Sequence, residues 1–243
     1  MVGKSQIKLI KSLRQKKYRE EHGLFIAEGR KCVTELLDSN LKCEAVYADD
    51  FGIMKQIAFD CTPVGAAQLK QMSNLKTPAG VLGVFEIPSE IKPLASGIAL
   101  ALDDVRDPGN LGTIIRLCDW FGIPQLVCSV TTADCYNPKV VQATMGSLSR
   151  VRISYVDLPQ FLANDKRPVW VADMDGENVY ESTLPGEFIL VMGNEANGIS
   201  AEVGRLASGI LSIPRFGALH KTESLNVATA TAVLLSEYRR HHP

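Results

Sequence analysis

The sequence predicts an α/β protein built around a parallel sheet, with a smaller α/β domain in front of it. Two observations carry this. Beyond residue 97, strand-length apolar runs alternate with helical stretches, and strands that read as continuous apolar runs are buried on both faces. Before it, shorter elements precede a stretch with two prolines and a glycine, residues 87–97, which reads as an interdomain connection. The expected division is 1–90, a linker at 91–97, and 98–243. A chain of 243 residues with 46% hydrophobic content can fill both cores.

In chain order, residues 5–19 repeat I-x-x-I-x-x-L with basic residues between, an amphipathic helix with Ser5 as its N-cap. Residues 24–27 are a short strand after Gly23, and a helix is expected over 29–37. Residues 45–47 form a weaker strand, 66–75 a helix and 81–85 a closing strand. In the second domain the strands are 98–102, 125–129, 168–172, 188–192 and 210–213. The helices are 111–121, 138–148 (Asn137 as N-cap, Pro138 at N1), 158–163 and 224–239.

Net charge is only -1, yet residues 1–31 carry nine basic side chains against three acidic ones. Clustered positive charge suits a polyanion, because neutralising phosphates releases counterions. Lys4, Lys8, Lys11, Arg14, Lys16, Lys17, Arg19 and Arg30 are the expected contacts to such a polyanion, the alternative being a solvated helix face. Six cysteines show neither C-x-x-C nor metal-ligand spacing and several lie in apolar runs. Buried thiols, a reducing compartment and no metal are expected. No stretch approaches the ~18 apolar residues of a membrane span, and the N-terminus has no signal-peptide core, so a cytoplasmic location without membrane association is expected.

Three segments carry the chemistry. The first is D-D-V-R-D-P-G-N-L-G-T-I-I-R, residues 103–116. Leu111, Ile114, Ile115, Cys118 and Phe121 share one helix face and Arg116 falls outside it. Taken locally, Asn110 caps the helix and Arg116 pairs with Asp119. The second is L-V-M-G-N-E-A-N-G-I-S, residues 190–200, where Gly193 and Gly198 bracket a polar loop after a buried strand. It is neither a Walker loop nor G-x-G-x-x-G. The third joins Ile213-Pro214 to Ser224-Leu225-Asn226, with Ser224 a possible cap of the last helix.

Together these segments resemble the signature of the SpoU (TrmH-like) RNA 2′-O-methyltransferases of the SPOUT superfamily. K-Y-R-E-E-H-G-L-F-I-A-E-G-R-K, residues 17–31, resembles the start of that family's L30e-like substrate-binding domain. The resemblance implies a C-terminal deep trefoil knot, a homodimer whose subunits share residues at each site, and S-adenosylmethionine as cofactor. It implies that Asn110, Arg116, Glu195, Ser224 and Asn226 serve catalysis. Gly193, Asn194, Gly198, Ile213, Pro214, Leu225 and Asn226 would hold the cofactor. Met145-Gly146-Ser147 resembles a family element near the dimer interface. The region 216–223 is longer than the usual connection. Ribosomal RNA is the expected substrate, given the separate N-terminal domain. A tRNA-directed enzyme and a non-catalytic RNA-binding ribosome-assembly protein on the same scaffold are the alternatives.

Overall fold

The structure, a computed structural model, describes residues 2–57, 59–89, 91–217 and 224–243. It forms two compact units, Met1–Glu90 with Asp134–Arg150, and Ile91–Ala133 with Val151–Pro243.

In the first unit, α1 (Lys4–Ser12) and α2 (Lys16–His22) lead into β1 (Leu24–Glu28), α3 (Arg30–Leu37), β2 (Cys43–Ala48), α4 (Phe51–Met54), β3 (Cys61–Pro63), α5 (Ala66–Met72) and β4 (Val81–Glu86). The strands make a mixed sheet in the order β1-β4-β2-β3. Ile10, Leu13, Ile26, Tyr47, Leu69, Met72 and Leu82 form its core.

The single helix expected over 5–19 is two helices, the first starting after Gly3 rather than at Ser5. Arg19 explains the break. It is 2% exposed, and its Nη1 donates to the carbonyls of Leu13 and Arg14, both at 2.9 Å. These are carbonyls that a helix end leaves without partners. Its Nε donates to Asp134 at 3.1 Å, and Nη2 pairs with the same carboxylate. Arg19 is therefore a buried clamp, and its expected place among the RNA contacts is corrected. Lys4, Lys8, Lys11, Arg14, Lys16, Lys17 and Arg30 are exposed.

Residues 134–150, expected in the second domain, pack with the first unit. Tyr136 lies against Phe25 with ring centroids 4.8 Å apart. The Cys32 thiol faces the Val141 carbonyl at 3.8 Å, and burial pushes that thiol up to about 11. The expected helix 138–148 is shorter, α7 (Pro138–Thr144), because Met145 and Gly146 are both left-handed. At Gly146 a Cβ would sit 2.5 Å from Glu35 Cβ, so the glycine admits α3.

The second unit contains β5 (Ala99–Leu102), α6 (Pro108–Trp120), β6 (Gln125–Ser129), β7 (Arg152–Val156), α8 (Leu158–Asn164), β8 (Val169–Asn178), β9 (Ile189–Met192), α9 (Ala201–Gly204), β10 (Gly209–Ser212) and α10 (Val227–His241). All pairings are parallel, in the order β10-β8-β9-β5-β6-β7. Every residue of β5, β6 and β9 is buried, as their apolar sequences require. The expected linker is pinned to this unit. Arg167 donates to the carbonyls of Leu94 at 3.0 Å and Gly97 at 3.1 Å, and the Gln125 amide brackets the Leu94 peptide.

The strand order reverses between β5 and β9. In open parallel sheets that switch opens a crevice at the carboxyl ends of the two strands. The loops leaving those ends are 103–107 and 193–200, the first two segments singled out in the sequence.

Candidate active site

Leaving β5, the chain passes through Asp104, a non-glycine residue at φ 63, and enters α6. The cap of that helix is Asp107, not Asn110. Asp107 accepts from the Asn110 backbone N–H at 2.8 Å, with Pro108 at the first helical position. Proline there has no N–H to lose and a φ already suited to a helix. The Asn110 side chain is thereby released from capping and faces the crevice.

Its partners fix its orientation. Asn226, not Ser224, caps α10, its Oδ1 accepting from Ala228 at 3.0 Å and Thr229 at 3.2 Å. With Oδ1 engaged, only Nδ2 of Asn226 faces outward, and it donates to Asn110 Oδ1 at 2.9 Å. Asn110 must then present Nδ2 on its other side, where it donates to Glu195 Oε1 at 2.8 Å. One cap thus sets a chain of three polar side chains drawn from the three segments.

The second segment is a tight loop. Asn194 and Gly198 exchange two backbone hydrogen bonds of 2.9 Å. Asn194 Oδ1 accepts from the N–H groups of Ala196 and Asn197, and its Nδ2 donates to the Asp104 carbonyl at 2.7 Å. Gly193 is required by close approach, since a Cβ there would lie 2.4 Å from the Gly198 carbonyl carbon. Gly198 is required by its φ of 66. Asp103, at the end of β5, accepts from the Ser200 N–H at 2.7 Å. The loop is welded to the neighbouring strand end.

Two cavities flank this loop. The larger, about 700 Å³, is lined by Gly193, Asn194, Gly198, Ile213, Pro214, Ser224 and Leu225 among others. The smaller, about 660 Å³, is lined by Arg106, Asp107, Asn110, Asn194, Glu195, Ala196, Asn197 and Asn226. Asn194, Glu195 and Ala196 line both, so the loop is a shared wall. Both volumes suit a small-molecule site. The larger mixes Met192, Leu211, Leu225 and Leu234 with polar Asp173, Asn194 and Ser224.

All the sequence-predicted cofactor residues except Asn226 therefore line the larger cavity, and Asn226 joins Asn110 and Glu195 at the smaller. Arg116 lines neither; it is exposed on α6. The expected insert at 218–223 lies outside the described residues.

Asp173, Met174 and Arg106 are among the lining residues that lie beyond the sequence expectations. Asp173 and Met174 line the larger cavity because the β8–β10 register shifts from Ile210↔Val171 to Leu211↔Glu177, leaving 172–176 without partners on β10. No local pattern announces such a bulge. Arg106 is legible as a cation four residues before Asn110, but its place depends on the turn at Asp104. Among the described residues no group of three or more His, Cys, Asp or Glu is placed to hold a metal ion.

Comparison with known proteins agrees with this fold. Residues 97–236 match the SpoU rRNA Methylase family, and residues 4–83 match the MRM3-like substrate binding domain. The chain is 30% identical over 241 residues to a 23S rRNA (guanosine(2553)-2′-O)-methyltransferase of Bacillus subtilis, covering 96% of each protein. A structure from Porphyromonas gingivalis assigned to the TrmH family of RNA methyltransferases superimposes with a TM-score of 0.91 at 38% identity, covering 99% of each chain. An AdoMet-bound rRNA methyltransferase from Sinorhizobium meliloti gives 0.85 at 30% identity, covering 99% of this chain and 97% of the other. The fold is that of the SPOUT methyltransferases, with a smaller α/β domain at its N-terminus, and the chain belongs to the SpoU rRNA methylase family.

Proposed function

We propose that the protein transfers a methyl group from S-adenosylmethionine to a ribose 2′-oxygen of ribosomal RNA. The observation that carries this reading is the pair of cavities separated by a single loop, with the Asn226–Asn110–Glu195 chain on the ribose side. Residues 193–198, 213–214 and 224–225 would hold the cofactor in the larger cavity. When bound, it would supply an electrophilic sulfonium methyl to the ribose 2′-oxygen, with the S–CH3 electrons left on sulfur and the 2′-hydroxyl proton passing to solvent.

The chain's own work is alignment. Asn110 and Asn226 fix the ribose by hydrogen bonds of set direction, Glu195 holds Asn110, and Ser224 stands at the cofactor side. Holding the reacting atoms in line removes much of the entropic barrier. Ribosomal RNA is favoured over tRNA by the match of residues 4–83 to a substrate-binding domain. A non-catalytic role is disfavoured by the intact chain of Asn110, Glu195 and Asn226. The six cysteines form no disulfide and four of them are buried, which suits a reducing compartment, and we place the protein in the cytoplasm.

Arg116 enters through a homodimer. Thr113, Arg116 and Trp120 share one exposed face of α6, where Trp120 is 84% exposed. An indole so exposed is a natural interface anchor. In the dimer, the partner subunit's Arg116 completes the site. A guanidinium is a poor base, so it acts as a fixed cation favouring the developing oxyanion. The knot is part of the same proposal: threading the C-terminal segment through a loop brings segments two and three together.

The dimer is tested by mixing. Heterodimers of Arg116→Ala and Asn110→Ala subunits should regain about half the parental activity, because one composite site stays intact. No recovery in verified heterodimers would place Arg116 in its own chain's site. The RNA grip is tested by Lys8, Lys11 and Lys16 replaced together by alanine. RNA affinity should fall, and the salt slope should flatten by up to about 0.7–0.9 for each phosphate no longer neutralised. Superimposable filter-binding slopes would remove these faces of α1 and α2 from the RNA surface.

A further inference from the structure

Arg106 lies at the smaller cavity beside the polar chain, and it is the one cation among the described residues that line that cavity. The other charged lining residues, Asp107 and Glu195, are carboxylates. Any ribose brought there arrives with a phosphate on each side, and two carboxylates repel it. Arg106 is mounted for the opposite purpose. Its Nε donates to Asp104 Oδ1 at 2.8 Å, a bond that leaves both terminal amino groups of the fork available. The side chain is 69% exposed, at the mouth rather than in the wall.

The tether is itself rigid. Asp104 occupies the left-handed region, where a non-glycine residue is strained and persists only if its surroundings impose it. Here they do: its N–H donates to Ser129 Oγ at 3.0 Å and its carbonyl accepts from Asn194 Nδ2 at 2.7 Å. The guanidinium beside it holds the Asp104 carboxyl below its ordinary range, so the pair stays ionised at neutral pH. Asn194 thus joins the Arg106 tether to the wall shared by the two cavities. The planar fork of arginine matches two phosphate oxygens, which a lysine ammonium does not.

We propose that Arg106 grips a backbone phosphate adjacent to the ribose being methylated, and that Asp104 presets its orientation. This rests on the methyl-transfer reading above. It assigns substrate positioning to a residue of the same chain as Asn110, separate from the role of the partner subunit's Arg116.

The test compares the parent with Arg106→Ala, Arg106→Lys and Asp104→Asn on rRNA isolated from a strain lacking the gene. Arg106→Ala should raise the RNA KM at least tenfold and flatten the salt dependence of RNA binding by about 0.7–0.9. The S-adenosylmethionine Kd should not move. Arg106→Lys should recover the salt slope but only part of the KM, and Asp104→Asn should fall between parent and Arg106→Ala. An unchanged KM and salt slope in Arg106→Ala would overturn the proposal. So would a weakened cofactor Kd with unchanged RNA binding, or an Asp104→Asn defect exceeding that of Arg106→Ala. A parent that binds RNA with an Arg106-dependent salt slope yet transfers no methyl group would sink the functional reading and leave the phosphate grip standing.

Discussion

Asn110→Ala is expected to slow methyl transfer by about 10²–10³-fold, the scale on which losing one preorganised hydrogen-bond donor is felt. Fold and cofactor affinity should stay near parental. The helix does not need this side chain, because Asp107 is the cap and alanine is the better helix former. The larger cavity does not include it. What disappears is the middle of the chain that accepts from Asn226 and donates to Glu195. Asn110→Asp sharpens the point. It keeps the shape and the acceptor toward Asn226 but faces Glu195 with a second carboxylate, so it should be at least as damaging as alanine. Single-turnover kinetics with thermal melts check both. Lost activity accompanied by a comparable loss of stability would make Asn110 a structural residue.

Gly193→Ala should abolish measurable cofactor binding, a fall of about two orders of magnitude or more by calorimetry. The new Cβ would lie 2.4 Å from the Gly198 carbonyl carbon and 2.5 Å from its oxygen. These are backbone atoms, so no side chain can swing aside. The loop must open, breaking the paired hydrogen bonds of Asn194 and Gly198 and moving the wall common to both cavities. Overpacking of this kind costs about 1–3 kcal/mol of stability, which a whole unit survives. Gly198→Ala is the contrasting control. Nothing lies within 4 Å of its Cβ, and its penalty is the left-handed φ alone, about 1–2 kcal/mol. Its cofactor affinity should fall less. Gly193→Ala binding like the parent would show that the wall is not needed for the cofactor.

The buried strands of the second unit are legible in the sequence because β5, β6 and β9 are nearly unbroken apolar runs. β7 is not: Arg152-Ile153-Ser154-Tyr155-Val156 buries a serine and exposes an arginine, so the run is disguised. The site is legible as three segments, but its wiring is not. Pro108 marks Asp107 as the cap by a rule that sequence alone supports, and the neighbouring asparagine obscures it. Asn226 over Ser224 is open to the same kind of local argument. Arg19, by contrast, looks like its basic neighbours in the sequence. Only a partner 115 residues away, Asp134, makes it a buried clamp. The packing of 134–150 with the first unit is non-local in the same way. Arg116 stands out in the sequence yet lines neither cavity of the single chain.

Ribose methylation is tested by the position of the methyl group. The purified protein is incubated with methyl-labelled S-adenosylmethionine and rRNA from a strain lacking the gene, and the RNA is digested to nucleosides and analysed by mass spectrometry. The expected result is label on a ribose 2′-oxygen at one site in the RNA, absent with Asn110→Ala. Label on a base, or cofactor bound by the folded protein with no label in any RNA, would rule out ribose methylation.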